Sequence, residues 1–303
     1  MLFRSLLDSV QNQIVGRQQE LELIITCLEA NKHVLLEGPP GCTKSTILRL
    51  IADNSGLPIY VLEGNADLTP SKLIGSFDPA MVLEHGIKQE YFVKGPLFHA
   101  MEEGGILYID EFNRMASDAS NTLIRAIEEG ELVVPRYGLL KAHPNFRVVL
   151  AQNPFDDVGV GKISRALLDR VIRIKLDYQN ALEEQFIVEH ELDGHADPKL
   201  VRIAVELCRA TRIHPEIKQG ASVRGAIDFT LLVPNLAEIS ESRSSFDVLR
   251  DAACAALSGK IWLDPSSEKN IEELIENLLT QVLSANVLDL EDLDDLEELL
   301  KKK

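Results

Sequence analysis

Between about Asn31 and Ile174, short apolar runs alternate with stretches whose apolar positions recur at helical spacing. HVLLEG (33–38) is an apolar run closed by glycine and predicts a buried strand. STILRLIADNSG (45–56) comes next, with Ile47, Leu48 and Ile51 on one face and Gly56 as its stop, and predicts a helix. Further strands are predicted at PIYVLEG (58–64), GILYIDE (105–111), FRVVLAQN (146–153) and RVIRIKL (170–176). Strands that alternate with helices imply an α/β fold, a parallel sheet covered by helices on both faces.

Two stretches break that rhythm. FDPAMVLEHGIKQEYFVKGP (77–96) holds proline, two glycines and EYFV, and predicts an inserted loop or hairpin. The segment 130–146 predicts a hairpin, with ELVV turning near Pro135 to Gly138. After Asp177 the pattern becomes helical throughout. NALEEQFIVEHEL opens on Asn180 with Glu183 three residues on, the arrangement of a capping box. PKLVRIAVELCRATRI, GASVRGAIDFTLLVP, SFDVLRDAACAALSG and SEKNIEELIENLLTQVL predict further helices, joined through 194–198, 215–220 and the Ser-rich 240–245. This divides the chain into an α/β core at 1–177, a small all-α domain at 178–283 and an acidic tail at 284–303. The tail reads either as a solubilising disordered end or as a short helix that docks on a partner.

Composition narrows the class. At 303 residues and 45% apolar content the chain can bury a sizeable core. With 48 acidic against 31 basic side chains the net charge is −17, which counts against a nucleic-acid partner, whose footprint is a basic face. Apolar runs such as Ile106 to Ile109 are too short to span a bilayer. The start MLFRSLLDSV lacks the basic lead and small-residue cleavage site of a signal peptide. Cys27, Cys42, Cys208 and Cys254 are scattered and the histidines show no ligand spacing, so free thiols and a cytoplasmic location are expected.

The candidate chemistry begins at GPPGCTKS (38–45), between a predicted strand and a predicted helix. Glycines let backbone N–H groups curl toward phosphate oxygens, and the helix N-terminus adds its positive dipole end. Lys44 would reach the β- and γ-phosphates, and the Ser45 hydroxyl would ligand Mg²⁺. Thr43 stands where such loops usually carry glycine. A side chain costs only propensity there if the position is already helical. If the position needs φ > 0, a β-branched residue is strained.

GILYIDEFNR ends an apolar strand on Asp110 and Glu111, about 65 residues after Lys44. The first carboxylate can hold Mg²⁺ through its water shell, and the second can orient an attacking water. A bland pair of strand-capping acids is the alternative, and the lysine-bearing loop weighs against it. Asn153 ends another strand, where it could polarise the water or simply precede the turn at Pro154. Arg165 and Arg170 could each serve a neighbouring subunit's γ-phosphate, or pair with Asp169 on the surface. Arg224 opens a helix of the second domain, from which it could reach the γ-phosphate of the nucleotide on its own chain.

In this order these residues resemble an AAA+ ATPase of the MoxR family, over about 14–230 and more loosely to about 283. IVGRQQELE resembles the family's segment near the adenine, which brings in Val15 and Gly16. The resemblance implies a phosphate-binding Walker A loop at Gly38, Pro39, Pro40, Gly41, Cys42, Thr43, Lys44, Ser45 and Thr46. It likewise implies Walker B acids at Asp110 and Glu111, sensor 1 at Asn153, an arginine finger at Arg170 and sensor 2 at Arg224. The insertion at 77–96 and the hairpin at 130–146 fit the family's helix-2 insert and pre-sensor-1 hairpin. The sequence departs from the family at Thr43, at Val223 where proline is common, and at Val171 where phenylalanine usually comes after the finger. The resemblance also implies ATP hydrolysis with Mg²⁺ in a homo-oligomeric ring, expected to be a hexamer. It implies in the same way a chaperone-like role on a protein client, with a von Willebrand A-domain partner. A metal chelatase subunit, a nucleic-acid motor and a non-hydrolysing scaffold are the rivals.

Overall fold

A computed structural model describes residues 2–154, 165–239 and 243–285. The acidic tail from 286 onward and part of the Ser-rich connector lie outside those residues. The chain divides into two compact units, Met1–Asp177 and Tyr178–Lys303.

The first unit is built on five parallel strands: β1 (His33–Glu37), β2 (Ile59–Glu63), β3 (Ile106–Asp110), β4 (Arg147–Gln152) and β5 (Val171–Lys175). Their order across the sheet is β2-β3-β4-β1-β5. Period-two alternation sends successive side chains to opposite faces. Leu35, Leu107, Ile109, Val148 and Leu150 pack on one face with Phe98, Met101 and Leu123. Val34, Leu36, Ile106, Tyr108, Val149 and Ile174 pack on the other with Leu21, Ile24, Ile47 and Ile51. The first face is covered by α4 (Pro96–Glu103) and α5 (Ser117–Glu129), the second by α1 (Leu2–Val10), α2 (Gln18–Glu29) and α3 (Lys44–Ser55). A sheet buried on both faces is why its strands read as continuous apolar runs.

The 77–96 segment holds more structure than a loop or hairpin. Gly75–Phe77 and Phe92–Lys94 form an antiparallel ribbon, and a helix, Pro79–His85, stands between them. Asp78 caps that helix by accepting from the N–H groups of Ala80 and Met81, and Pro79 suits its first position. The second hairpin pairs Glu131–Val134 with Gly138–Lys141.

The second unit holds α6 (Ala181–Glu191), α7 (Pro198–Ile213), α8 (Val223–Ile239), α9 (Ser245–Leu257) and α10 (Ile271–Ala285) around one apolar core. The Asn180–Glu183 capping box is present in both directions. Two boundaries differ from expectation. α8 does not stop at Pro234 but runs through it to Ile239, because Pro234 is exposed while Phe229, Thr230 and Val233 stay buried. α10 reaches Ala285, past the expected start of the tail. A two-stranded ribbon of Ile217–Gln219 with Trp262–Leu263, unread in the sequence, pins the loop before α8. Among the described residues no helix is long and apolar enough to cross a membrane.

Candidate functional site

The parallel strands all end at one edge of the sheet, and registry fixes what meets there. Glu37 of β1 lies opposite Gln152 of β4, and Glu63 of β2 opposite Asp110 of β3. Since β4 lies between β1 and β3, Gln152 and Asn153 stand between the loop after β1 and the acids after β3. Crevices at the carboxyl ends of parallel strands are where open α/β sheets bind ligands.

The loop after β1 is tightly built. A Cβ on Gly38 would lie 2.3 Å from the Leu176 carbonyl oxygen and 2.8 Å from Cys42 Sγ, so only glycine fits. Pro39 is buried and Pro40 half-buried; Cys42 is 1% exposed. Burial pushes the Cys42 thiol up, while Lys44 and Arg17 pull it back. Lys44 is the first residue of α3, and its ammonium donates to the carbonyls of Gly38 (2.7 Å) and Pro39 (2.8 Å). Ser45 is half-buried and Thr46 exposed. Gly41 has φ +73°, and Thr43 has φ +68°, ψ +14°. Of the two readings of Thr43, the structure takes the left-handed one, in which a β-branched side chain is strained.

Arg17 was not singled out by its sequence pattern, and it lies at the centre of the loop's support. It is 3% exposed. Its Nε donates to Thr43 Oγ1 (3.2 Å), Nη2 to the Cys42 carbonyl (3.3 Å) and to the Asp177 carbonyl, and Nη1 to Glu20 (2.8 Å). Only the Glu20 spacing, one helical turn on, is visible in the sequence. Val15 and Gly16 immediately precede it, half-buried and exposed respectively.

Asp110 is half-buried at the end of β3, and its Oδ1 accepts from the N–H of Glu111 (3.0 Å). Tyr108 shares its face of the strand, and burial, then the Asp110 charge, push that phenol up. Tyr108 shares one apolar core with Cys42 of the loop and Ile47 and Ile51 of α3, which ties this strand end to both. Glu111 has φ +47° and pairs with Arg114 at 2.9 Å. Asn153 is half-buried, and its carbonyl receives a long contact from Asn113 (3.5 Å). Beside it Gln152 donates to Glu37 (2.7 Å).

The predicted arginines come from other elements. Arg170 pairs with Glu128 of α5 and donates to the Ala166 carbonyl (2.5 Å). Arg165 is exposed at the start of the short helix Arg165–Leu168. Arg224 is exposed in the first turn of α8, in the second unit. The approach to α8 is fixed within that unit: Arg212 donates to the Ala221 carbonyl (2.7 Å) and Thr211 accepts from its N–H (2.9 Å). Buried Glu184 in turn holds Arg212 (2.8 Å).

The histidines need one amendment. His99, Glu102 and Glu103 bring ligand atoms within 4.8 Å of one another. They are engaged in exposed bonds to each other, to Lys94 (2.6 Å) and to Tyr60 (2.6 Å). All four cysteines are free.

Residues 33–171 match the family described as AAA domain (dynein-related subfamily). The protein YeaC of Bacillus subtilis is 27% identical over 247 residues, 73% of this chain and 74% of that one. Among solved structures, a protein from Cytophaga hutchinsonii superposes with a TM-score of 0.53 at 20% identity, covering 92% of this chain and 93% of the other. RuvB of Thermotoga maritima superposes with a TM-score of 0.54 at 21% identity, over 80% of this chain and 71% of the other. Gas vesicle ATPase GvpN1 of Halobacterium salinarum is 30% identical over 243 residues, 71% of this chain and 70% of that protein. With a phosphate-loop architecture at the carboxyl edge of its sheet, the chain belongs to the AAA-domain ATPases, in the family that includes gas vesicle ATPase GvpN1.

Proposed function

We propose that the chain is a MoxR-like AAA+ ATPase that works in a ring, a hexamer, and uses ATP to remodel a client protein complex. The observation that carries the site is the strand registry, with Asn153 standing between the loop ahead of Lys44 and the paired acids Asp110 and Glu111. The donor set suits a nucleotide triphosphate: the ammonium of Lys44 and the N–H groups at the start of α3 for phosphate oxygens. Gly38 leaves room for the backbone to curl where a Cβ would collide. The Ser45 hydroxyl and Asp110 carboxylate are the oxygen ligands Mg²⁺ prefers, and bound Mg²⁺ would draw charge off the β- and γ-phosphates.

Lys44 now bonds its own loop, so phosphate would replace two carbonyl partners that are already in place. Glu111 orients the attacking water and takes its proton, for which its carboxylate leaves Arg114. Asn153 presents its amide to the same water. Arg170 acts on a neighbour's γ-phosphate, which is the reason for a ring, and Arg224 answers to the γ-phosphate of its own chain's nucleotide. Val15 and Gly16 flank the base.

A protein client is favoured over nucleic acid by what the insertions expose. Leu83 and Val93 on the first insertion are 89% and 60% exposed, and Val133 and Leu139 on the second hairpin 72% and 52%. Such apolar surface suits protein contacts, as the net charge of −17 disfavours a phosphate backbone. The relative's name, a gas vesicle ATPase, supports service to an assembled structure. A von Willebrand A-domain protein is the partner we expect, in the cytoplasm.

The test is Glu111→Gln in the full chain. Turnover should fall about 10²- to 10⁴-fold with ATP affinity retained, whereas Lys44→Ala should lose binding. Hydrolysis by Glu111→Gln at the parent rate would remove Glu111 from the mechanism. The same variant, used as bait with ATP, should retain the client and an A-domain partner; stimulation of turnover by DNA would instead favour a nucleic-acid motor.

A further inference from the structure

Thr43 poses a problem that the proposed site does not solve. It is a β-branched residue at φ +68°, directly before Lys44, in a conformation that glycine adopts freely and L-residues avoid. Such residues persist only where their surroundings over-determine them.

Those surroundings are specific. The Thr43 hydroxyl accepts from Arg17 Nε (3.2 Å) and donates to the carbonyl of Cys42 (2.5 Å). The same guanidinium donates to that Cys42 carbonyl (3.3 Å), so the strained residue's side chain and the backbone leading into it share one anchor. The anchor is itself fixed, by Glu20 (2.8 Å) on α2 and by the Asp177 carbonyl at the end of the unit. A planar fork can serve four such acceptors at once; a lysine ammonium on a flexible stem cannot hold that geometry.

We propose that Arg17 is the positioning residue of the phosphate loop, holding Thr43 in the left-handed turn that a glycine would otherwise supply. Thr43 and Arg17 then form one device, so the hydroxyl is what allows a side chain at this position. Without Arg17, Thr43 relaxes, and nucleotide must pull the loop back. The left-handed cost of an L-residue converts to about tenfold in apparent affinity. This inference rests on residues 38–46 being the nucleotide site.

The experiment measures the affinity of the full chain for a fluorescent methylanthraniloyl-ADP with Mg²⁺, in two backgrounds. In the parent, Arg17→Ala should weaken binding about tenfold, and Arg17→Lys should recover little of it. In the Thr43→Gly background, where no side chain needs restraint, Arg17→Ala should cost less than about threefold. A merely structural arginine would cost the same factor in both. Equal factors, or no effect in the parent, overturn the proposal. If Arg17→Ala does not fold, Thr43→Val tests the tie from its other end: it keeps the shape and loses the hydroxyl, and should weaken binding about tenfold; unchanged affinity overturns the proposal. Lys44→Ala with undiminished binding would instead overturn the site reading itself.

Discussion

Gly38→Ala isolates a single contact whose consequence can be worked out. Gly38 has no positive φ, so backbone conformation is no obstacle to alanine there. Space is: the new Cβ would sit 2.3 Å from the Leu176 carbonyl oxygen, 2.8 Å from Cys42 Sγ and 3.1 Å from Leu176 Cβ. An ordinary C···O approach is about 3.3 Å, so one side must move by about 1 Å. The backbone there is tied down, since Leu176 N–H donates to the Glu37 carbonyl (2.8 Å) and Gly38 N–H to that of Gln152 (3.2 Å). Overpacking plus one broken buried bond gives about 2–4 kcal/mol. For a unit of this size that is about 5–15 °C in melting temperature. Thermal unfolding with and without Mg-ATP is the assay, and the ligand-induced stabilisation should shrink as well, because the loop shifts with the strand end. Gly56→Ala is the control: φ is +67° but nothing lies within 4 Å of the added Cβ. It should cost only the left-handed strain, about 1 kcal/mol, and leave ligand-induced stabilisation intact. A Gly38→Ala chain that melts within about 2 °C of the parent with the same ATP response would refute the steric account.

The packing makes three further outcomes measurable. His33 is held at a pKa of about 4 by burial, then by Arg147 and Lys32, while its Nδ1 accepts from Val148 N–H (3.0 Å). Its folded pKa is depressed below the usual 6.5, so its contribution is present above about pH 6.5 and is lost as pH falls to about 4, by about 3 kcal/mol in total. Replacing His33 by Gln should flatten that part of an acid-denaturation profile. Arg212→Ala leaves Glu184, whose side chain is 1% exposed, on its longer contact to Arg209 (3.4 Å), and should cost about 2–4 kcal/mol in urea unfolding. Pro234→Ala restores an N–H inside α8 at an exposed position and should stabilise by about 1–2 kcal/mol, read as a rise in the same urea midpoint.

Much of the fold was legible because it depends on neighbours in sequence. Alternation of Val34, Leu35 and Leu36 between two cores is a local pattern, and so is the capping box at Asn180. The helix at Pro79–His85 also carried local signals, an Asp cap and a proline at its first position, but these resemble the signals of a turn when the helix is so short. Pro234 misled for a related reason. A proline stop is a local rule, and here buried residues such as Phe229 and Val233 hold the helix through it. Arg17 was legible only in its spacing to Glu20: its other partners lie 25, 26 and 160 positions away, and nothing at residue 17 names them.

The ion pairs at the candidate residues matter most for how such a site could work. Glu111 and Arg170 are each engaged within the chain, which could be taken as evidence against their proposed roles. Exposure decides the question. The Glu111–Arg114 side chains are 37% and 41% exposed, and those of Glu128–Arg170 48% and 30%. Pairs so open to water are worth about 0–1 kcal/mol, less than one good contact to a bound phosphate. They can hold the two side chains at rest and release them when a nucleotide or a neighbouring subunit offers more. Glu184–Arg212, at 1% and 11%, is the opposite case. Breaking it would leave a buried carboxylate with its shortest ion pair gone and the longer one to Arg209 (3.4 Å) in its place. It therefore belongs to the fixed frame that sets the start of α8, and with it Arg224, whereas the exposed pairs of Glu111 and Arg170 leave those two charges able to change partners, as their proposed roles require.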